Sequence, residues 1–234
     1  MGWRYTILPL IDLTGIHFGY PGERAVLNGI DLQLFPDERL CLTGANGAGK
    51  STLIHIIVGL LRPSQGKVVV FGRERTLEAD FHEVRRRAGL VFQDPDDQLF
   101  CPTVEEDIAF GPLNMGKTRA ESLAIVEDVL TRLGLGHLRE RITHKLSGGE
   151  KRLVTLATVL AMEPDVLLLD EPTNALDEST TERIVETLNG LPQAMIIISH
   201  DPHFRHKIAT RSLRLHDGRL DLPGVGHRHY HIHD

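Results

Sequence analysis

The sequence lacks any long uninterrupted apolar run. No stretch approaches the roughly 18 consecutive apolar residues that a membrane-spanning helix needs. The first residues also lack the charged segment followed by an apolar segment that is typical of a secretory signal peptide. We therefore expect a soluble globular subunit.

Positive charge and cysteine are also scarce. The chain has 26 Lys and Arg against 32 Asp and Glu, and the net charge of −6 gives no general attraction to nucleic acid. Cys41 and Cys101 lie far apart, and Cys41 falls in a predicted core strand, so we expect the reduced, packed thiols of a cytosolic protein. With 41% hydrophobic residues, the 234-residue chain can bury one sizeable core.

A glycine-rich segment, GANGAGKS at residues 44–51, matches the phosphate-binding P-loop pattern. The short apolar run at 40–43 before it predicts a buried strand. The apolar spacing at 52–58 after it predicts a helix. The segment therefore joins a strand to a helix, as the motif requires.

The residues of this loop have separate expected roles. The glycines permit backbone angles that other residues avoid, so that amide groups can point at phosphate oxygens. Lys50 would reach the β- and γ-phosphates, and the hydroxyl of Ser51 would bind Mg²⁺. The predicted nucleotide-binding residues of the segment are Gly44, Asn46, Gly47, Gly49, Lys50, Ser51 and Thr52.

An almost unbroken apolar run, PDVLLLDE at residues 164–171, ends in two carboxylates and predicts a fully buried parallel strand. Ligands bind at the carboxyl ends of such strands, which places Asp170 to hold Mg²⁺ and Glu171 to orient or deprotonate the attacking water. In isolation such a pair more often ends a strand in solvent, and the P-loop favours the catalytic interpretation. A second strand at 194–199 delivers His200 to the same edge, where it is either structural or a γ-phosphate ligand.

A second glycine turn, SGG at residues 147–149, begins a helix that is predicted to run to Met162. Glu163 should stop the helix because Pro164 follows it, and a residue before proline disfavours the helical region. The free amide groups and the dipole at the N-terminus of this helix suit an anion. Alone, the turn is simply a good helix start, and its position just upstream of the two-carboxylate strand favours a phosphate site.

In their order along the chain these motifs resemble the nucleotide-binding subunit of an ATP-binding cassette (ABC) transporter, over about residues 10–221. The resemblance implies ATP and Mg²⁺ as cofactors. It also implies that Tyr20 stacks on adenine and that Gln93 links Mg²⁺ and the attacking water to a membrane partner. The catalytic residues implied in this way are Glu171, His200 and Gln93, and those implied for Mg²⁺ are Ser51, Gln93 and Asp170.

The same resemblance implies that the chain works as a pair. Ser147, Gly148 and Gly149 resemble the signature that binds the ATP of the partner subunit, and residues 174–177 resemble the loop that crosses the dimer. Two copies arranged head to tail, expected to be a homodimer, would each seal ATP between the P-loop of one and the signature of the other. Closure would depend on nucleotide, and hydrolysis would release it.

The expected fold is α/β, with a P-loop core built on a mostly parallel sheet, an antiparallel β subdomain and a helical subdomain at about 94–160. We expect one ATPase domain over residues 1–222, followed by a tail at 223–234. Turn signals separate the β-rich stretches that predict the antiparallel part. These stretches lie at 11–18, 29–35 and 66–71.

One helix of the helical subdomain has a local start signal. Apolar spacing from Thr118 to Leu133, with Glu121 as the capping-box partner of Thr118, predicts this helix. The helix belongs to the segment between Gln93 and Leu146. By family resemblance, ATPases that act on chromosomes or DNA breaks insert a long coiled coil there, and this segment is too short for one.

Residues 91–100 and 103–112 resemble the energy-coupling-factor branch of these importers. In that branch, two ATPases at the cytoplasmic face of the membrane drive a transmembrane coupling protein that is joined to a substrate-capturing membrane protein. The apolar patch at 99–102, flanked by acidic residues, is either a groove for a partner's cytoplasmic helix or ordinary core.

Four alternating histidines, His227, His229, His231 and His233, lie near the end of the chain. An extended tail would place them on one side, and imidazole suits nickel, cobalt, copper and zinc. The competing interpretation is a disordered end with incidental metal affinity. The longer C-terminal domain common in vitamin-importing relatives is missing, and this favours nickel or cobalt as the cargo of the importer.

The sequence thus predicts an ATPase that powers uptake of nickel or cobalt through a membrane complex. One alternative is uptake of a vitamin or another small solute by the same kind of importer. A second alternative is a soluble ATPase that acts on ribosomes or nucleic acid. Relatives of that last type usually carry two cassettes in one chain, whereas this chain has one P-loop.

Overall fold

The computed structural model of the chain describes residues 7–22 and 24–222, which form two β-sheets and seven α-helices. The strands are β1 (Ile11–Gly19), β2 (Ala25–Leu34), β3 (Arg39–Thr43), β4 (Gln65–Val70), β5 (Arg73–Glu74), β6 (Ala88–Val91), β7 (Val166–Asp170), β8 (Ala194–Ile198), β9 (Arg211–His216) and β10 (Arg219–Asp221). The helices are α1 (Lys50–Ile57), α2 (Phe81–Arg87), α3 (Val104–Asn114), α4 (Arg119–Leu133), α5 (Gly148–Leu160), α6 (Glu178–Asn189) and α7 (Pro202–Ile208).

A six-stranded sheet with the order β10-β9-β3-β8-β7-β6 forms the centre of the fold. Its neighbouring strands from β9 to β6 pair in parallel, and β10 pairs antiparallel with β9 at one edge. The mostly parallel P-loop core that the sequence predicts is therefore confirmed. The three core strands expected at 40–43, 164–171 and 194–199 correspond to β3, β7 and β8.

The burial of β7 explains its unbroken apolar sequence. Leu167 and Leu169 pack into the core cluster that includes α3, α4 and α5, whereas Val166 and Leu168 pack into the cluster that includes α1 and the antiparallel sheet. Every residue of β7 is buried. A strand that is covered on both faces has no polar side, so the period-two alternation of a half-exposed strand is absent.

The predicted antiparallel subdomain is confirmed as a four-stranded sheet with the order β2-β1-β4-β5. The stretch expected at 29–35 is wrong at its start, because β2 already begins at Ala25. The strand continues through Gly29, which has a φ of +73°, opposite a register shift in β1. Glycine here belongs to a β-bulge within the strand and does not mark a turn before it.

The helical side of the core consists of α3, α4 and α5 packed on one another. Helix α4 has the predicted bounds, and Thr118 and Glu121 form the predicted capping box at its start. The prediction that the α5 region remains helical to Met162 is wrong, since the α-helix ends at Leu160. The amides of Met162 and Glu163 instead donate to the carbonyls of Val159 and Leu160, three residues back rather than four. Glu163 takes a φ of +52° before the proline.

Both cysteines are free thiols within the described chain. Burial is the main cause that raises the pKa of Cys41 to about 11, and burial with the nearby Asp107 raises the pKa of Cys101 to about 11. Both thiols therefore stay protonated and unreactive at neutral pH. Within residues 7–22 and 24–222, none of the helices combines the length and apolarity that crossing a bilayer requires.

Candidate nucleotide-binding site

The P-loop runs from the end of β3 to the start of α1. Gly44, Gly47 and Gly49 have φ values of +144°, +77° and +101°, as the sequence predicts for glycines in this motif. Gly49 is the N-cap residue of α1, so the amide groups of the first helical turn face the loop. Gly44 has an additional constraint, because a Cβ atom there would lie 2.3 Å from the carbonyl oxygen of Leu215 on β9.

Lys50 is buried in the loop that it follows. Its Nζ donates hydrogen bonds to the carbonyl oxygens of Gly44 and Ala45, at 2.9 and 3.0 Å. Burial lowers the pKa of the Lys50 ammonium, and the carboxylates of Glu171 and Asp170 act in the opposite direction. The ammonium is therefore held by weak neutral acceptors, close to two carboxylates, at the point where the motif expects phosphate oxygens.

His200 lies between this lysine and Glu171. Its Nε2 is 3.1 Å from Lys50 Nζ and also 3.1 Å from Glu171 Oε1. Because an ammonium only donates, a neutral His200 accepts from Lys50 through Nε2 and carries its proton on Nδ1. In that tautomer Glu171 Oε1 is a buried oxygen that has no hydrogen-bond donor among the described residues, which suits a group that must accept a hydrogen bond from a water molecule.

The backbone of Glu171 is itself unusual. It has a φ of +48°, a left-handed conformation that costs energy for a residue with a side chain. Its amide donates to the carbonyl of Ile198 at the end of β8, at 3.0 Å, and its Oε2 accepts from the amide of His200 at 3.3 Å. The turn after β7 thus holds the Glu171 carboxylate against β8.

One cavity of about 560 Å³ brings most of the predicted site together. Ser51, Gln93 and Asp170 offer a hydroxyl, an amide and a carboxylate, and these oxygen donors fit the preference of Mg²⁺. The predicted residues that line the cavity are Tyr20, Asn46, Gly47, Gly49, Lys50, Ser51, Thr52, Gln93, Asp170, Glu171 and His200. Gly44 is not among the lining residues, which agrees with a role in the packing of β9.

Tyr20 follows β1 and forms one wall of this cavity. Its hydroxyl lies 3.1 Å from Oγ1 of Thr52 on α1, and its ring packs edge-on against Phe18, with the centroids 5.0 Å apart. The side chain is 38% exposed and lines the cavity, and an aromatic ring in such a position can stack on a planar ligand. Asn46, on the P-loop, is exposed and also lines this cavity.

The second glycine turn lies apart from this cavity. Ser147 is the N-cap residue of α5, and its amide donates to Oε2 of Glu150 at 2.7 Å in a capping box. These hydrogen bonds lower the pKa of Glu150. Ser147 and Gly148 are exposed, and none of the residues 147–149 lines the cavity that holds Lys50.

The loop at 174–177 leads into α6 next to that turn. Ala175 has a φ of +59°, and Asp177 caps α6 by accepting hydrogen bonds from the Thr180 amide at 2.8 Å and from the Ser179 hydroxyl at 2.6 Å. The Ser179 bond and then those from Thr180 lower the pKa of Asp177 to about 2. Thr180, in the first turn of α6, packs against Gly149, so the start of α6 touches the second glycine turn within one chain.

Arg152 is a residue near the site that the sequence analysis did not single out. It lies on the buried face of α5, and its guanidinium donates to the carbonyl oxygens of Phe92 and Gln93. The signal in the sequence was an arginine on the same helical face as Leu156 and Val159, where an apolar residue is expected. The histidines 227, 229, 231 and 233 lie outside the described residues.

A P-loop between a parallel strand and a helix, facing two carboxylates at the end of another parallel strand, defines a P-loop ATPase. A family model described as ABC transporter matches residues 27–174. The chain belongs to the ABC transporter family, and it is an ATP-binding, ATP-hydrolysing subunit of that family.

Curated relatives agree with this assignment. The chain is 52% identical, over 94% of its own length and 91% of the relative, to a protein of Brucella suis biovar 1 whose name goes no further than an ABC transporter ATP-binding protein. It is 43% identical to the cobalt import ATP-binding protein CbiO of Rhodobacter capsulatus, over 93% of this chain and 79% of that one. It is 39% identical to the energy-coupling factor transporter ATP-binding protein EcfA of Methanothermobacter thermautotrophicus, over 92% and 71%.

Solved structures share the fold. The structure of cbiO1 from Clostridium perfringens, described as part of the ABC transporter complex cbiONQ, superposes with a TM-score of 0.82 at 34% identity, covering 92% of this chain and 87% of that one. A bacterial ABC transporter cassette solved as a dimer superposes with a TM-score of 0.81 at 26% identity, covering 90% and 96%.

Proposed function

We propose that this subunit hydrolyses ATP as one of two paired copies and that the pair drives uptake through a membrane complex. The observation that carries the proposal is one cavity whose lining includes the predicted site residues from five separate parts of the chain, at 20, 46–52 without 48, 93, 170–171 and 200. Each part contributes the residue type that ATP hydrolysis needs at that place. Residues 1–222 would form one ATPase domain in which a helical subdomain at about 94–160 adjoins the core.

The residues of the cavity have distinct proposed roles. Tyr20 stacks on adenine, while the loop amides of Asn46, Gly47 and Gly49 and the side chain of Lys50 bind the phosphates. Ser51, Gln93 and Asp170 would hold Mg²⁺, which neutralises phosphate charge when it is bound. Glu171 accepts the proton of the attacking water or orients that water, and His200 hydrogen-bonds the γ-phosphate. Thr52 positions Tyr20 through its hydroxyl.

The pairing of two copies is proposed from the position of the second glycine turn. Ser147, Gly148 and Gly149 form a helix N-terminus with exposed residues, but they do not line the cavity of their own chain. A second copy placed head to tail would bring its turn to the γ-phosphate side of this cavity. The similar cassette that was solved as a dimer supports this arrangement.

Glu171→Gln tests the proposed chemistry. The amide cannot accept the water proton, so we expect ATP binding to remain while turnover falls by about 10²- to 10⁴-fold. ATP should then trap a dimer that is visible by size-exclusion chromatography. The matched control is Asp165→Asn, since Asp165 lies just before the other end of β7 and pairs with Arg87 on the surface. A Glu171→Gln enzyme that hydrolyses ATP at the original rate would contradict the assigned base.

The proposed membrane partner is a transmembrane coupling protein joined to a substrate-capturing protein. Support comes from the similarity to CbiO and EcfA, and from an apolar cavity of about 280 Å³ whose lining includes Phe92, the residue before Gln93. Phe100 lines this cavity and is 65% exposed, with its ring edge-on to Phe110 at 4.7 Å. Leu99, in contrast, is part of the core. We propose that a cytoplasmic helix of the coupling protein docks on Phe100, which would hold the subunit at the cytoplasmic face of the membrane.

Nickel or cobalt is the proposed cargo. The relative named for cobalt import supports it, as do the four alternating histidines of the tail at 223–234. Among the described residues, no group of three His, Cys, Asp or Glu side chains is placed to hold a metal ion, so a metal-buffering role depends on the tail. Uptake of a vitamin or another small solute is the alternative cargo.

Calorimetric titration with Ni²⁺ tests the proposed role of the tail. The full chain should bind Ni²⁺ more tightly than a chain that ends at Pro223, because imidazole is a strong nickel ligand. A full-length variant with glutamine at positions 227, 229, 231 and 233 is the matched control, and it should behave like the shortened chain. Equal binding by all three would remove the tail from the argument, and the cargo would then depend on uptake of labelled nickel and cobalt by the assembled complex.

A further inference from the structure

The Arg152 guanidinium connects two parts of the proposed site. Arg152 lies on α5 and is 5% exposed. Its Nη1 donates to the carbonyl oxygen of Phe92 at 3.0 Å and to that of Gln93 at 2.7 Å. Gln93 lines the ATP cavity, and the N-cap residue of α5 is Ser147. One side chain therefore joins the cavity of this copy to the helix that begins with the second glycine turn.

This arrangement is a costly way to stabilise a fold. Within the described chain, the guanidinium of Arg152 donates to backbone carbonyls and forms no ion pair with a carboxylate, and its Nε has no hydrogen-bond acceptor. Burial lowers the pKa of the guanidinium, although Asp94, Asp170 and Glu171 act in the opposite direction. Packing alone would be served as well by an apolar side chain of similar volume. A buried cation at this place therefore indicates a role in positioning.

A second side chain ties the same segment to the same helix. The amide of Phe92 donates to Oε1 of Gln98 at 3.1 Å. Nε2 of Gln98 donates in turn to the carbonyl of Thr155 at 3.3 Å and to the hydroxyl of Thr158 at 3.1 Å. Residues 92–98 are thus hydrogen-bonded to α5 at Arg152 and again about one helical turn further on, at Thr155 and Thr158.

We propose that Arg152 is a positioning residue that makes Gln93 and the second glycine turn move as one body. This inference depends on the proposed function, in which Gln93 serves the ATP of its own copy and Ser147 serves the ATP of the partner. A displacement of residues 92–98 would then be passed along α5 to Ser147. Arg152 would in this way couple the two nucleotide sites of the pair.

Replacement of Arg152 by methionine tests the proposal. Methionine keeps an unbranched apolar stem and removes both hydrogen bonds to the carbonyls of Phe92 and Gln93. We expect kcat to fall by about tenfold to a hundredfold, as for the loss of hydrogen bonds from a charged donor. Binding of ATP to the dilute monomer should change by less than about twofold, because the P-loop residues stay in place. In a Glu171→Gln background, the ATP-dependent dimer should be lost at the concentrations that trap the wild-type pair.

Two further variants separate positioning from stability. Arg152→Lys keeps a donor that can reach a carbonyl, and it should recover a large part of kcat. Arg75→Met is the control, because Arg75 is also buried and donates to the carbonyls of Val70 and Asp80, but it also pairs with Glu83 and does not line the cavity. It should lower the melting temperature without changing kcat below that temperature.

The possible results are distinct. Equal kcat for Arg152→Met and wild type, measured well below the melting temperature, would overturn the positioning role. So would a loss of kcat that Arg75→Met reproduces, since this would reflect stability alone. If Arg152→Met does not fold, Gln98→Leu removes the second tie and should give a smaller loss of the same kind; unchanged kcat in that variant would also overturn the proposal. A wild-type chain without ATPase activity would instead contradict the proposed function.

Discussion

Gly149 shows how little space separates the two turns that the proposed dimer uses. A Cβ atom at this position would lie 2.9 Å from Cγ2 of Thr180, closer than side-chain atoms approach one another. Thr180 cannot simply move away, because its amide and its hydroxyl both donate to the carboxylate of Asp177. The start of α5 can therefore lie this close to the start of α6 only because residue 149 carries a hydrogen atom in place of a Cβ.

Gly149→Ala should displace the turn at Ser147 by overpacking, which costs about 1–3 kcal/mol. We expect a fall of about fivefold or more in ATP turnover and in ATP-dependent dimerisation, while ATP binding to the isolated chain is retained. Adding Thr180→Ser removes the overlapping methyl group and keeps the hydroxyl that Asp177 accepts, so the double variant should recover activity. The measurement is the turnover of the wild type and the three variants in a double-mutant cycle. Thr180→Ser alone is the control, and failure of the double variant to recover would show that the contact is not the cause.

The sequence alone identified most individual residues of the cavity. It could not predict contacts between residues that lie far apart in the chain. Lys50, Ser51 and Asp170 were predictable because each belongs to a short pattern next to a recognisable element. The role of Gly44 was only partly predictable, since its close approach to Leu215 involves a strand far away in the sequence. Arg152 was missed for the same reason: its acceptors on Phe92 and Gln93 are about 60 positions away and carry no side-chain signature.

At the scale of elements, helix starts were easier to predict than helix ends. The capping box of Thr118 with Glu121 predicted the start of α4, and the glycine turn at 147–149 predicted the start of α5; both helices begin at these signals. The end of α5 depends on how the chain reaches β7. Its last hydrogen bonds join residues three apart rather than four apart, so the α-helix ends before Met162. A sequence pattern describes the periodicity of a helix and does not describe the direction in which the next strand lies.

Strand order was also beyond the sequence. Apolar runs predicted β3, β7 and β8 as buried strands, but nothing in those runs states that β8 lies between β3 and β7. The strands β7 and β8 supply alternating side chains to both clusters that cover the sheet, whereas Leu40 and Leu42 of β3 belong to only one of them. The pairing of β7 with β8 is what brings Glu171, at the end of β7, beside His200, which follows β8.

At the scale of the whole molecule, the exposed ring of Phe100 tests how the subunit meets its proposed partner. Phe100→Asp places a charge on the docking surface, where a partner helix would have to bury it. Because Phe100 is 65% exposed, the fold and ATP turnover should change little. We expect co-purification with membranes, and uptake by the assembled complex, to fall by at least about tenfold.

A matched control for this variant is Leu77→Asp. Leu77 is 64% exposed and does not line the cavity beside Phe100. Both variants should hydrolyse ATP, and only Phe100→Asp should leave the membrane fraction. Wild-type membrane association of Phe100→Asp would contradict the docking surface. Co-sedimentation of the wild-type chain with ribosomes, without membrane association, would favour the soluble ATPase instead.

The outward position of Ser147 has a further consequence for a cell that makes this chain. Under the proposed pairing, a single copy binds ATP but cannot hydrolyse it. Hydrolysis therefore takes place only where two copies meet. Dilution alone would then abolish ATPase activity, and turnover per chain would rise steeply with the local concentration of the subunit. Recruitment to a shared scaffold in the membrane would concentrate the copies, so that surplus chains made ahead of their scaffold would waste almost no ATP.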